Sequence, residues 1–128
     1  MSEAVCWLNA SGYQDDPLNL PVVDLDEVVQ WYGKCFGLTE VRRTSEPLPQ
    51  VVMERDGVPL GFTINGGDAG QDGAAIEVRN IEAWRHELEQ KGVNVSPFRE
   101  DQRDGNTLKV FFVIAPDGLC YYMYQPVT

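Results

Sequence analysis

The sequence predicts an α+β fold built from two βαβββ modules in one chain, and three observations carry that prediction. Two amphipathic helices, each ended by a glycine, recur at equivalent places in the two halves. Each helix is preceded by one strand-like segment and followed by three. Between the halves lies Asn65-Gly66-Gly67-Asp68-Ala69-Gly70-Gln71-Asp72-Gly73, too rich in glycine and aspartate to hold a helix or a strand interior. Module one is expected over residues 17–65 and module two over residues 73–126, with 1–16 as an N-terminal extension.

The elements follow in order. Ala4–Asn9 carries Val5, Trp7 and Leu8 and either adds an edge strand or covers a partner subunit. Leu18–Val23 alternates apolar residues at Leu18, Leu20 and Val22. Pro21, without an N–H, must sit where no ladder donor is needed. Asp24 is a good N-cap, and Leu25, Val28, Val29, Tyr32 and Phe36 form one helical stripe that Gly37 can end in the left-handed conformation. Strands are expected over Thr39–Thr44, Gln50–Glu54 and Val58–Ile64, the last two joined by an Asp56-Gly57 hairpin turn. The second half repeats the device. Ala74–Val78 reads as a strand, Asn80 as a cap, Ile81, Trp84 and Leu88 as a stripe, and Gly92 as the stop. Strands then follow over Asn94–Arg99, Thr107–Ile114 and Leu119–Tyr124, with a Pro116-Asp117-Gly118 turn before the last. The run Val110–Ile114 predicts a strand buried on both faces, one against the helix and one towards a concavity. The charged segment Arg99–Asn106 reads as a solvated hairpin loop bordering that concavity or lidding it.

Composition narrows the function. A length of 128 residues fits one domain, and no apolar run approaches the roughly 20 residues a membrane span needs. The start, Met1-Ser2-Glu3-Ala4, has no basic stretch of the kind that opens a secretory signal, so a cytoplasmic protein is expected. Ten Lys and Arg against 20 Asp and Glu give a net charge of −10, which repels phosphate backbones and argues against nucleic acid as a partner. Cys6, Cys35 and Cys120 lack metal or disulfide spacing and read as largely buried thiols. The one histidine, His86, lies off its helix stripe and reads as exposed. A metal centre needing two histidines from one chain is therefore ruled out.

Pro21-Val22-Val23-Asp24-Leu25-Asp26, then Trp31-Tyr32, Phe36-Gly37-Leu38 and the later Ala115-Pro116-Asp117-Gly118 resemble the motifs of the vicinal oxygen chelate superfamily. That family includes glyoxalase I, extradiol dioxygenases, fosfomycin-modifying enzymes and bleomycin resistance proteins. The resemblance covers about residues 17–126 and implies a curved mixed-sheet half-barrel cavity of the glyoxalase/bleomycin-resistance kind. It also implies that enzymes of the family hold a divalent metal at positions that correspond here to Pro17, about Gly73 and Tyr122. Proline and glycine side chains cannot ligate, and a neutral tyrosine is a poor ligand, so no metal and no other cofactor is expected. Bleomycin-type members sequester their ligand without a catalytic metal, usually in crevices at a homodimer interface.

Alternation from Tyr122 puts Cys120, Tyr122 and Tyr124 on the cavity face and Leu119, Tyr121 and Met123 on the helix face. The ligand-binding candidates are Asn19, Phe62, Glu77, Tyr122 and Tyr124, and Glu77 is the candidate catalytic residue. Each has a plainer reading. Tyr122 and Tyr124 suit packing, Glu77 a solvated ion pair with Arg79, and Asn19 a local backbone hydrogen bond. The expected function is metal-independent binding or sequestration of an aromatic or cationic small molecule. The alternatives are a lyase, isomerase or oxygenase of the same fold with atypical site residues, and a regulatory module whose cavity has closed.

Overall fold

The computed structural model describes residues 5–12, 16–71 and 73–127; of Gln71 only the backbone is described. The elements run β1 (Cys6–Gly12), β2 (Leu20–Pro21), α1 (Leu25–Cys35), β3 (Thr39–Thr44), β4 (Gln50–Arg55), β5 (Val58–Thr63), β6 (Gly73–Arg79), α2 (Ile81–Gln90), β7 (Asn94–Val95), β8 (Arg99–Arg103), β9 (Asn106–Ile114) and β10 (Cys120–Pro126). The fold is mixed α+β, with two sheets. One is four-stranded in the order β2-β5-β4-β3. The other is six-stranded in the order β1-β6-β10-β9-β7, with β8 also paired to β9.

The helix ends follow local chemistry. Asp24 accepts from the backbone N–H groups of Asp26 and Glu27, which fixes the start of α1. Gly37 takes φ +70° just beyond its C-cap, where a side chain would be strained. Asn80 departs from expectation. It adopts a left-handed φ of 61° and caps nothing with its side chain; the Ile81 N–H is met instead by Gln125 Oε1 from β10. A tertiary contact thus replaces the local cap.

Both helices share one core. Trp7, Phe36 and Trp84 meet edge to face with ring centroids 5.7 Å apart, and Phe36 also packs against Tyr32 and Tyr121. Trp7 comes from β1, which pairs antiparallel with β6 as an edge strand. A bulge between Trp7 and Asn9 absorbs one residue, so Trp7 and Ala10 both point into the core. Arg55 on β4 ties the joint together. Its guanidinium donates to the Phe36 carbonyl at 2.9 Å, lies 4.9 Å over the Trp84 ring and pairs with Glu87 on α2.

Two strands differ from the sequence reading. β2 is only Leu20–Pro21, because the preceding Asp16–Asn19 segment turns, with Asn19 N–H donating to the Asp16 carbonyl. The expected Asn94–Arg99 strand is broken at Ser96–Phe98, where Pro97 has no N–H to offer. The Phe112 N–H goes to the Ser96 hydroxyl oxygen, while the Ser96 carbonyl accepts from Arg85 Nε. The expected loop Arg99–Asn106 is mostly strand. β8 pairs with β9 through a two-residue Asp104-Gly105 turn in which both residues have positive φ, the twist that suits a tight hairpin.

Alternation sorts the two faces of each sheet. In the six-stranded sheet Ile76, Phe111, Val113, Tyr121 and Met123 join the common core. Ala75, Leu108, Val110, Phe112, Tyr122 and Tyr124 form a separate apolar cluster on the outer face. In the four-stranded sheet the chain's own Leu18 lies across the outer face: a Cβ on Gly61 would stand 2.2 Å from the Leu18 carbonyl oxygen.

That close approach gives a paired stability prediction. Gly61→Ala should lower the unfolding free energy by about 2 kcal/mol or more, since backbone must move. Gly33→Ala, inside α1 with only an ordinary 3.6 Å contact, should raise it by about 0.5–1 kcal/mol. Urea unfolding of the two variants measures both. Equal effects would contradict the packing described.

Candidate functional site

The outer face of the six-stranded sheet is built by register. Asn9, Glu77, Tyr124, Val110 and Arg99 stand in one row across β1, β6, β10, β9 and β8, and Ser11, Ala75, Tyr122 and Phe112 in the next. Phe112 meets Tyr122 at 5.4 Å and Tyr122 meets Tyr124 at 5.9 Å, giving three adjacent aromatic rings. Arg99 lies 4.7 Å over Phe112 and Arg103 lies 5.9 Å over Tyr122. Asp101, between the two arginines on β8, pairs with Arg99 at 2.9 Å and accepts a 2.6 Å hydrogen bond from the Tyr122 hydroxyl.

The electrostatics follow from these contacts. Burial, and then the bond to Asp101, push the Tyr122 phenol up to about 12. The same bond, joined by Arg99, holds the Asp101 carboxyl below the usual carboxylate range. Tyr124 is raised by burial and by the Glu77 charge, while its hydrogen bond with Asn9 opposes the shift. Two guanidinium groups and two carboxylates therefore share this face. Its local charge is balanced although the chain carries −10.

The sequence-derived candidates divide between the two sheets. Glu77, Tyr122 and Tyr124 come together on this outer face, with Cys120 beside them on β10. Asn19 does not join them. It lies before β2, where Asn65 Nδ2 reaches both its carbonyl and its side-chain oxygen at 3.3 Å. Phe62 is a correction: it points the other way. It is fully buried 4.5 Å from Tyr32, because β5 puts Val58, Leu60 and Phe62 on the helix side. His86 is exposed on α2. Arg99, Asp101 and Arg103 also contribute to this face, which the loop expected over Arg99–Asn106 does not anticipate. Their spacing of two is a strand signal, and the Asp-Gly pair that follows is a hairpin signal.

The positions where the family resemblance implies metal ligands do not fit a metal. Pro17 gives its carbonyl to the Gly61 N–H, Gly73 has no side chain, and the Tyr122 phenol keeps its proton and donates to Asp101. Among the described residues no group of three or more His, Cys, Asp or Glu side chains converges on one point. No helix among them is long and apolar enough to cross a membrane.

Comparison with known proteins agrees with the geometry. The family model for the Glyoxalase/Bleomycin resistance protein/Dioxygenase superfamily matches residues 16–119. No curated protein matches the sequence significantly. Among solved structures, a glyoxalase/bleomycin resistance protein/dioxygenase from Alicyclobacillus acidocaldarius superposes with a TM-score of 0.69 at 18% identity, over 87% of this chain and 89% of that one. A virulence protein from Salmonella typhimurium gives 0.68 at 15% identity, over 85% and 93%. The fosfomycin resistance protein FosX from Listeria monocytogenes, solved with Mn(II) and sulfate, gives 0.60 at 16% identity, over 84% and 85%. At these identities the likeness speaks for the fold alone.

The raised phenols predict a basic limit to stability. The fold holds the Tyr32, Tyr122 and Tyr124 protons more tightly than the unfolded chain, whose tyrosines ionise near 10. Their contribution is complete below about pH 10, where the unfolded tyrosines keep their protons, and is lost as the pH rises through the raised folded values, about 12 for Tyr122. Urea midpoints should therefore fall between about pH 9 and about pH 11. In Asp101→Asn, which removes the charge that helps hold the Tyr122 proton, the fall should be smaller.

Proposed function

The chain belongs to the glyoxalase/bleomycin resistance protein/dioxygenase superfamily, and from that premise we propose that it binds or sequesters a planar aromatic small molecule without a catalytic metal. The observation that carries this reading is the state of Tyr122. It stands where the family resemblance implies a metal ligand, yet its hydroxyl is committed to Asp101, and its ring joins Phe112 and Tyr124 in a stacking surface. Aromatic faces attract a flat ligand by dispersion and offset stacking, and the Arg99 and Arg103 guanidiniums extend that surface. The two guanidiniums also make this face a poorer home for a cation than the net charge of −10 suggests. Glu77 and Asn9 supply polar points at its edge.

A second copy of the chain laid on this face would complete a crevice, as bleomycin-type members do, and we take a homodimer as part of the proposal. Three free cysteines, Cys6, Cys35 and Cys120, support a reducing compartment such as the cytoplasm. The enzymatic alternative has less support. Tyr122 bonds to Asp101 rather than to Glu77, and a phenol pushed up to about 12 is not poised to exchange its proton with a base near neutral pH.

Isothermal titration with naphthalenesulfonate, against cyclohexanesulfonate as a non-aromatic match, tests the reading. The aromatic probe should bind in the presence of a chelator, and Tyr122→Ala should weaken it by about threefold to tenfold. Equal binding of both probes, or an affinity indifferent to Tyr122, would overturn it.

A further inference from the structure

A cavity of about 610 Å³ runs along α1, and none of the residues of the tyrosine face lines it. Its lining residues on the helix recur at spacings of three and four, so the groove follows one side of α1, and the Pro116-Asp117 turn lines it too. Trp31, half-buried, and Tyr32 present aromatic surface to it beside three valines. Three carboxylates line it, those of Asp24, Glu27 and Asp117, against a single ammonium from Lys34.

We infer that this groove is a separate binding site for an organic cation, an ammonium or quaternary ammonium group carried on an apolar body. Trp31 and Asp117 are the anchors. The Trp31 ring is held by an edge contact at 4.8 Å to Tyr32 and a tilted contact at 5.2 Å to Phe36, so little side-chain freedom is left to lose on binding. An indole is the best of the aromatic rings at attracting a cation to its face. Asp117 is fixed by the Tyr32 hydroxyl and the Leu119 N–H, both donating at 3.0 Å. A carboxylate has about four acceptor positions, so these two bonds and one from its own backbone N–H still leave capacity for a ligand.

Burial pushes the Asp117 carboxyl above its ordinary range, the mark of a charge poorly served by water, and a cation in the groove would serve it instead. Asp24 is already engaged in capping α1, which leaves Glu27 as the second carboxylate of the wall able to meet a ligand. The carboxylates are strung along the groove rather than gathered on one point, which suits a cation with an apolar body better than a bare metal ion. The acidic surface as a whole would raise the local concentration of such a ligand.

The test follows the Trp31 indole N–H by proton NMR, assigned by its loss in Trp31→Phe, during titration with benzyltrimethylammonium and with benzenesulfonate as the matched anion. Trp31 should shift saturably with the ammonium, at a Kd of about 1 mM, while buried Trp7 and Trp84 stay still and the sulfonate does nothing. Asp117→Asn and Glu27→Gln should each weaken the ammonium by about threefold or more. Glu27 is exposed in the first turn of α1, so its variant decides the matter if Asp117→Asn fails to fold. The inference is overturned by the absence of a saturable Trp31 shift, by an equal shift with benzenesulfonate, or by an unchanged Kd in Glu27→Gln. Because this readout does not involve Tyr122, it stands or falls separately from the aromatic face.

Discussion

The aromatic joint of Trp7, Phe36 and Trp84 is the contact on which the rest of the molecule depends. Each ring comes from a different element: the edge strand, the C-cap of α1 and the middle of α2. Burying all three together forces both helices into one shared core, which also takes in Tyr32, Tyr121 and Phe62. Each sheet must then give that core its helix-side residues and turn its other face outward. Arg55 reinforces the joint by bridging β4, the end of α1 and α2 with one side chain. The candidate binding face is thus a consequence of where the core lies.

The two outward faces are used differently. In the four-stranded sheet the chain covers itself, with the Leu18 carbonyl lying over Gly61 and Gln50 Nε2 donating to that same carbonyl at 2.8 Å. In the six-stranded sheet β8 brings Arg99, Asp101 and Arg103 to the rings of Phe112 and Tyr122. This gives a surface that is aromatic, locally neutral and hydrogen-bonded within itself. Net charge therefore says little about the character of this face. The surplus of acids has more bearing on the groove along α1, where three carboxylates face one lysine.

Most of the fold was legible because it rests on period and punctuation. The stripe from Leu25 to Phe36, its Asp24 cap and the left-handed Gly37 are local features, and the structure has all three. The alternation of β10 was equally legible: Tyr121 and Met123 go to the core, and Tyr122 and Tyr124 go outward. What could not be read depends on partners distant in sequence. Gln125 caps α2 across 44 residues, and Leu18 crosses β5 at Gly61. The side on which Phe62 lies is not legible either, because β5 is short and Gly61 interrupts its alternation. The dense charge of Arg99–Arg103 reads as loop and masks the period of two that the strand obeys. The Tyr32–Asp117 hydrogen bond, spanning 85 residues, had no sequence signal.

The central claim is that Tyr122 and its neighbours make a binding face in place of a metal centre. Native mass spectrometry of the purified protein, combined with metal analysis, tests it most directly. The account predicts chains without a stoichiometric divalent metal that still retain or accept an aromatic small molecule. One divalent ion per chain, together with turnover that a chelator removes, would contradict it.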